Sequence, residues 1–307
     1  MRCDFGAVIT AMATPFTPEK EVDLDGVVAL AGWLLDHGSD ALVLTGTTGE
    51  SPTLSDDEKF SIWSAVRRSY PNARLIAGAT TASTAHSLEG VRKADDLGLD
   101  GILAVVPYYN RPSQEGLFRH FSAICGATSL PVILYDIPVR TGRKAASDTI
   151  VALIDAHPNL AGLKDAAGNV GATAELIARV GEEFVVYSGD DGLTLPLVAV
   201  GARGIVSVAS HWAGLFFQAM IDAARSGAYA RAAEINAALT DSYRFEAQES
   251  APNPIPLKAM LATLDLPSGG CRLPLEDPDE ELLREARGVY AALSEHAAKL
   301  PKTMEMN

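Results

Sequence analysis

The sequence predicts a (β/α)8 TIM barrel over residues 1–226, followed by a C-terminal helical region over 227–307. Three observations carry that expectation. Eight short apolar runs occur before residue 210, longer amphipathic stretches separate them, and beyond residue 210 only helical patterns remain. The runs are continuously apolar rather than alternating, which is how parallel strands covered on both faces read. Eight such units in series favour a closed barrel over a doubly wound open sheet. No G-x-G-x-x-G follows the first run, so the dinucleotide-binding form of the open sheet lacks its signature.

In order, the predicted strands are AVIT (7–10), ALVLT (41–45), RLIAGAT (74–80), GILAVVP (101–107), PVILYD (131–136), LAGLK (160–164), FVVYSG (184–189) and GIVSV (204–208). In DLDGVVALAGWLLDHG, after the first, Leu24, Val27, Val28, Ala31, Leu34 and Leu35 share a helical face, and Gly38 can close the helix. Ser55 and Glu58 form a capping box for the next helix. Asp190 and Asp191 are expected to cap the helix after the seventh strand. Beyond residue 210, HWAGLFFQAMIDAARSG, YARAAEINAALTDSYRFEAQ, IPLKAMLATLDL and PDEELLREARGVYAALSEHAAKL read as helices. The last carries a second capping box, Asp277 with Glu280, and Pro278 at its first position. The terminal PKTMEMN is expected to fray.

Composition narrows the function. With 25 Lys and Arg against 39 Asp and Glu, the net charge is −14, which argues against nucleic acid and anionic membrane surfaces as partners. An anionic small substrate must then be met by a local cation. The three cysteines, Cys3, Cys125 and Cys271, are too scattered for a disulfide framework or a zinc cluster. The six histidines share no ligand spacing, so no metal is expected, and His211, near the eighth strand end, reads as a polar loop residue. No run reaches membrane-spanning length and the N-terminal stretch does not read as a signal peptide, so a cytoplasmic protein is the expectation.

In a barrel, chemistry sits at the C-terminal ends of the strands. Those ends carry Thr47 and Thr48, Thr80 and Thr81, Tyr108 and Tyr109, Tyr135, Lys164, SGDD (188–191) and Val206–Ser207. Lys164 either reaches past its strand to pair with Asp165 or another acid, or is held dry. A dry lysine has a depressed pKa, and its neutral amine can attack a ketone to form a Schiff base. Tyr135 one strand away favours the second reading. Tyr135, Tyr109 and Thr47 could form a hydroxyl chain that moves protons, although a buried tyrosine is by default a packing residue. The turn GTTGES suits a carboxylate, or is simply a tight glycine loop. Arg140 either clamps a substrate carboxylate or forms a surface ion pair.

Taken together, GTTGES, PYYNRPSQEG, LYDIPVRTG, GLKDAAGN, SGDD and NPIPLK, running over residues 7–275, resemble the dihydrodipicolinate synthase and N-acetylneuraminate lyase family of class I aldolases. The Y-x-x-P-x-R-T-G form is similar to the synthase branch. The resemblance implies that Lys164 forms a Schiff base with pyruvate, with no separate cofactor. It implies a proton relay of Thr47, Tyr109 and Tyr135, with Tyr109 coming from a neighbouring subunit of a homotetramer built as a dimer of dimers. Thr48 would hold the pyruvate carboxylate and Arg140 that of aspartate semialdehyde, in lysine and diaminopimelate biosynthesis. Gly189 and Val206 match backbone positions near the imine. Asp136, His211 and Gly214 depart from the synthase pattern. Ala82, His86, Asp56 and Lys59 replace the groups of lysine-inhibited members, although Ser51 and Tyr108 remain, which weighs against feedback inhibition by lysine. Two other readings stay open: a related lyase or dehydratase for a sugar acid or hydroxy-oxo acid, and a non-catalytic barrel that binds a metabolite.

Overall fold

The computed structural model describes residues 5–297. The segment expected to fray, 301–307, lies outside them, as does Cys3. Eight strands alternate with helices and close into a parallel barrel in sequence order. They are β1 (Val8–Ala11), β2 (Ala41–Leu44), β3 (Arg74–Gly78), β4 (Gly101–Val105), β5 (Val132–Asp136), β6 (Leu160–Asp165), β7 (Val185–Ser188) and β8 (Gly204–Ser207). Each falls within or one residue beyond a predicted apolar run. The runs are apolar throughout because both faces are covered. Leu42, Leu134 and Leu163 turn outward into the shell packed by helices. Ile9, Val43, Ile76, Ile133, Tyr187 and Val206 fill the barrel interior. Ile9 pairs with Val206 where β1 and β8 close the ring.

The first helices follow from local signals. Helix α1 (Leu24–Asp36) begins where the Asp23 carboxylate accepts from the Gly26 amide. It buries Val27, Leu30, Ala31 and Leu34, whereas Leu24, expected on the inner face, is exposed at the cap. Gly38 follows in the left-handed region, at φ +96°. Helix α2 (Asp56–Ser69) shows the full capping box, with Ser55 and Glu58 each bonded to the other's backbone amide. Then come α3 (Thr84–Asp96), α4 (Gln114–Gly126), the single turn α5 (Pro138–Thr141), α6 (Ser147–Ala156), α7 (Val170–Val180) and α8 (Thr194–Ala199).

Helix α9 (Ser210–Arg225) follows β8 and closes the barrel, and the C-terminal part comprises α10 (Tyr229–Glu246), α11 (Ile255–Thr263) and α12 (Glu280–Ala297). The cap of α12 is Asp279, which accepts from the Leu282 amide, rather than the expected Asp277. Asp277 is drawn away by stronger partners, the Lys20 ammonium at 2.7 Å and the Cys271 amide at 2.8 Å. Long-range ties fasten this part over the loops that follow β1 and β2. The buried Lys258 ammonium donates to the carbonyls of Thr14, Ser268 and Gly270, and lies 3.3 Å from the Glu50 carboxylate. Arg272 pairs with Glu58 and donates to the Thr53 carbonyl. The loops that carry Thr47 and Thr48 are thereby held in one place.

Candidate active site

Lys164 lies at the C-terminal end of β6, in register with Tyr135 on β5 and Tyr187 on β7. Register neighbours in a sheet share a face, and both tyrosines belong to the interior cluster, so the lysine points into the barrel. It is 5% exposed, and Nζ stands 4.2 Å from the centre of the Tyr135 ring. Burial lowers its pKa to about 8; Asp191 and Glu246 pull it upward and Arg140 presses it down. The adjacent acid, Asp165, is turned aside, its carboxylate accepting from Thr173 and the Ala167 amide. The expected alternative, an ion pair with Asp165, is not formed.

Gly189 follows β7 and leaves room for the lysine stem. A Cβ at that position would stand 3.0 Å from Lys164 Cγ, 3.1 Å from Lys164 Cε and 2.9 Å from Ala166 Cβ. Any other residue would push the amine off its track.

Tyr135 is buried, and burial raises its pKa to about 12, offset by the Arg140 charge and a hydrogen bond with Thr47. The phenol therefore keeps its proton and can pass it along that bond. Beside it opens a cleft of about 210 Å³, lined by Thr45, Thr47, Thr80, Tyr108, Tyr135 and Arg140 among others. Thr47 comes from the turn after β2. Thr48, next in that turn, is buried and accepts at 3.1 Å from the Asn253 amide nitrogen. Arg140 projects from α5 at the rim and donates to the Asn253 carbonyl. Asn253 thus spans the hydroxyl turn and the rim cation. Its position in NPIPLK, remote in sequence, gave no hint of that role.

Two expected members do not line the cleft of the single chain. Tyr109 is 95% exposed, with φ +70°. Its loop is nonetheless fastened on both sides, since Asn110 donates to the Ala82 carbonyl and Arg111 to that of Gly142. Val206 is buried on β8, in the interior cluster that also holds Tyr135 and Tyr187.

The departures from the synthase pattern resolve into packing. Asp136 is buried and takes the Lys144 ammonium at 3.0 Å and the Ala145 amide at 3.1 Å. His211 is not a polar loop residue. It is fully buried, donates from Nδ1 to the Val208 carbonyl and accepts at Nε2 from the Ala13 amide. Those bonds fix a neutral ring, and burial lowers its pKa to about 4. Gly214 abuts the turn after α1, where a Cβ would stand 2.3 Å from the His37 carbonyl oxygen. Of the two expected caps after β7, Asp190 serves, accepting from the Gly192 amide. Asp191 is buried instead, bonded to Ser207 and to the Val208 amide. Away from the cleft, Asp56, His86 and Glu89 gather their ligand atoms within 4.8 Å. The Lys59 ammonium lies 3.7 Å from Asp56, so the pairing there is already ionic.

A barrel with a desolvated amine, a protonated phenol bonded to a threonine hydroxyl and a cation at the rim fits a lyase of the Schiff-base, class I aldolase kind. The sequence model of the Dihydrodipicolinate synthetase family matches residues 4–292, and the chain belongs to that family. It is 47% identical to the 4-hydroxy-tetrahydrodipicolinate synthase of Moorella thermoacetica, over 95% of this chain and 98% of that one. The Bacillus subtilis protein of the same name is 44% identical over 89% and 93%. Among solved structures, a dihydrodipicolinate synthase of Bacillus anthracis superposes with a TM-score of 0.91 at 41% identity, over 95% and 99% of the chains. That of Cyanidioschyzon merolae, solved with lysine bound, gives 0.91 at 42%, over 94% and 98%. The family and fold expected from the sequence are both borne out.

Proposed function

We propose that this chain condenses pyruvate with L-aspartate 4-semialdehyde to give 4-hydroxy-tetrahydrodipicolinate, in lysine and diaminopimelate biosynthesis. The observation that carries the reading is the Lys164 amine, desolvated and laid across a Tyr135 whose phenol is bonded to Thr47. The neutral amine attacks the ketone carbon of pyruvate, and the carbinolamine loses water to give a ketimine. Loss of a methyl proton gives the enamine, whose carbon bonds to the aldehyde carbon while the aldehyde oxygen takes a proton. The amine of the second substrate then attacks the imine carbon, closing the ring and releasing Lys164. One water is lost overall. Tyr135 and Thr47 move protons in these steps, Thr48 holds the pyruvate carboxylate, Arg140 meets the carboxylate of the aldehyde, and Gly189 and Val206 border the imine. A dry site keeps the enamine from being hydrolysed.

The exposed, fastened Tyr109 supports a shared site in which this residue completes the relay of a neighbouring copy. We assign a homotetramer, a dimer of dimers, in the cytoplasm. Among the described residues no helix is long and apolar enough to cross a membrane. The changed residues after β8, His211 and Gly214, are turned into packing and lend the sugar-acid lyase reading no support.

The deciding assay supplies purified protein with pyruvate and aspartate semialdehyde and follows product through a coupled reductase. Turnover is expected. None, beside an active control enzyme, would reject the synthase reading. Release of pyruvate from a sugar-acid aldol would point to the related lyase. Borohydride with pyruvate should leave an adduct on Lys164, and failure to trap would reject both enzyme readings.

A further inference from the structure

Near the lysine lies a pair of acids, one buried and one half-buried, that the proposed reaction does not use. Asp191 comes from the 3₁₀ turn after β7. Glu246 comes from the last turn of α10, in the C-terminal part. Asp191 is fully enclosed, and its two oxygens are taken by the Ser207 hydroxyl and the Val208 amide. Glu246 accepts from the Ala209 amide and reaches Asp191 with its side chain. Its Oε2 is sealed from solvent and receives no hydrogen bond from any of the described residues. Two carboxyl groups in hydrogen-bond contact need a proton between them, since two bare carboxylates repel and neither can donate.

We propose that Asp191 and Glu246 share one proton and act as a single, singly charged counter-anion to Lys164, positioning that amine between its charged and neutral forms. Asp191, with two donors, keeps the charge, and Glu246, with one, holds the proton. Burial and mutual repulsion push both acids upward, Glu246 the more strongly, in keeping with that division. The groups facing the pair are few. Asp190 and Tyr243 lie near it, the Tyr243 hydroxyl bonded to Asn236. Those facing the lysine are Tyr135, Tyr187 and Arg140, besides the pair. The pair therefore offsets both the dry surroundings and the Arg140 charge. Without it the amine would be neutral over a wider range but would lose the positive charge that attracts the pyruvate carboxylate. The C-terminal helix α10 thus takes part in setting the amine.

The proposal rests on Lys164 being the reacting amine, and its test is built to separate the two. The rate of borohydride trapping with pyruvate is measured against pH for the wild type, Asp191→Asn, Glu246→Gln and the double variant, with melting curves to check folding. Either single change leaves one negative charge, on Glu246 or on Asp191, so both keep the wild-type midpoint. The double variant loses the charge and its midpoint falls by about one pH unit or more, a roughly tenfold faster reaction on the acid limb. A double variant whose profile overlays the wild type overturns the proposal, as does a full shift already present in one single variant. A wild type that gives no adduct on Lys164 instead overturns the assignment of the amine. Infrared difference spectra of wild-type protein labelled at Glu should show a protonated carboxyl at neutral pH. Absence of that band overturns the shared proton whether or not the variants fold.

Discussion

Replacing Gly189 by alanine tests the placement of the amine most directly. Carbon atoms rest about 3.5–4.0 Å apart, whereas the new Cβ would stand 3.0 Å and 3.1 Å from two carbons of the Lys164 stem. On the other side it meets Ala166 Cβ at 2.9 Å, a stub on the backbone that cannot swing away. The lysine must yield, by roughly half to one ångström. A displacement of about 1 Å from attack geometry costs on the order of 10²-fold in rate, or about 2.7 kcal/mol of barrier. The same overpacking costs about 1–3 kcal/mol of stability, which a folded domain of this size can bear. The expected result in the coupled assay is a kcat about a hundredfold lower in a protein that melts a few degrees earlier. Pyruvate trapping should slow in parallel. A G189A enzyme with wild-type kcat would refute the reasoning, because the amine would then tolerate a shift that the geometry forbids.

Three further outcomes follow from the same geometry. Lys164 sits at about 8 when folded against 10.5 unfolded. Between those values the unfolded chain holds a proton that the folded one has released, so stability rises with pH across the window. Below pH 8 the cost of the buried charge is fully present, about 3 kcal/mol. Lys164→Met should therefore melt higher than wild type at pH 7, with the difference shrinking from pH 8 to 10.5; equal melting at pH 7 would contradict a desolvated lysine. Lys258→Met strips the donor from three carbonyls and the partner from Glu50, and should destabilise by about 3–5 kcal/mol in denaturant titrations. A loss under 1 kcal/mol would mean that water replaces the ammonium. Finally, Tyr109→Phe and Lys164→Met are each expected to be nearly inactive alone. Hybrids refolded from a mixture should regain activity if Tyr109 completes a neighbour's site, and no recovery in assembled hybrids would reject sharing.

Much of the fold was legible because its determinants are local. Unbroken apolar runs of four to seven residues mark strands covered on both faces, and the Ser55–Glu58 box marks a helix start within four residues. Lys164 and Tyr135 could be placed side by side from strand order alone, since consecutive parallel strands become neighbours in a barrel. Local signals misled where a distant partner competed for the same atom. Asp277 had the sequence of a cap but lost that role to Lys20, 257 positions away. Asp191 resembled a cap and was drawn into the interior by Ser207. His211, placed beside a strand end, was taken into the core because the Ala13 amide and the Val208 carbonyl satisfied both ring nitrogens.

The sequence by itself therefore determined the eight strands, the helix starts whose caps meet no distant competitor, the lysine at the mouth and the hydroxyl residues around it. The tertiary structure decided the rest: Asn253 on Thr48, 205 positions apart, Lys258 on Glu50, Glu246 against Asp191, and Tyr109 facing outward. Helix and strand preferences act within a few residues and leave a periodic trace in the chain. A buried hydrogen bond or ion pair between remote segments leaves none, because its strength comes from the shared exclusion of water that exists only once the barrel has closed.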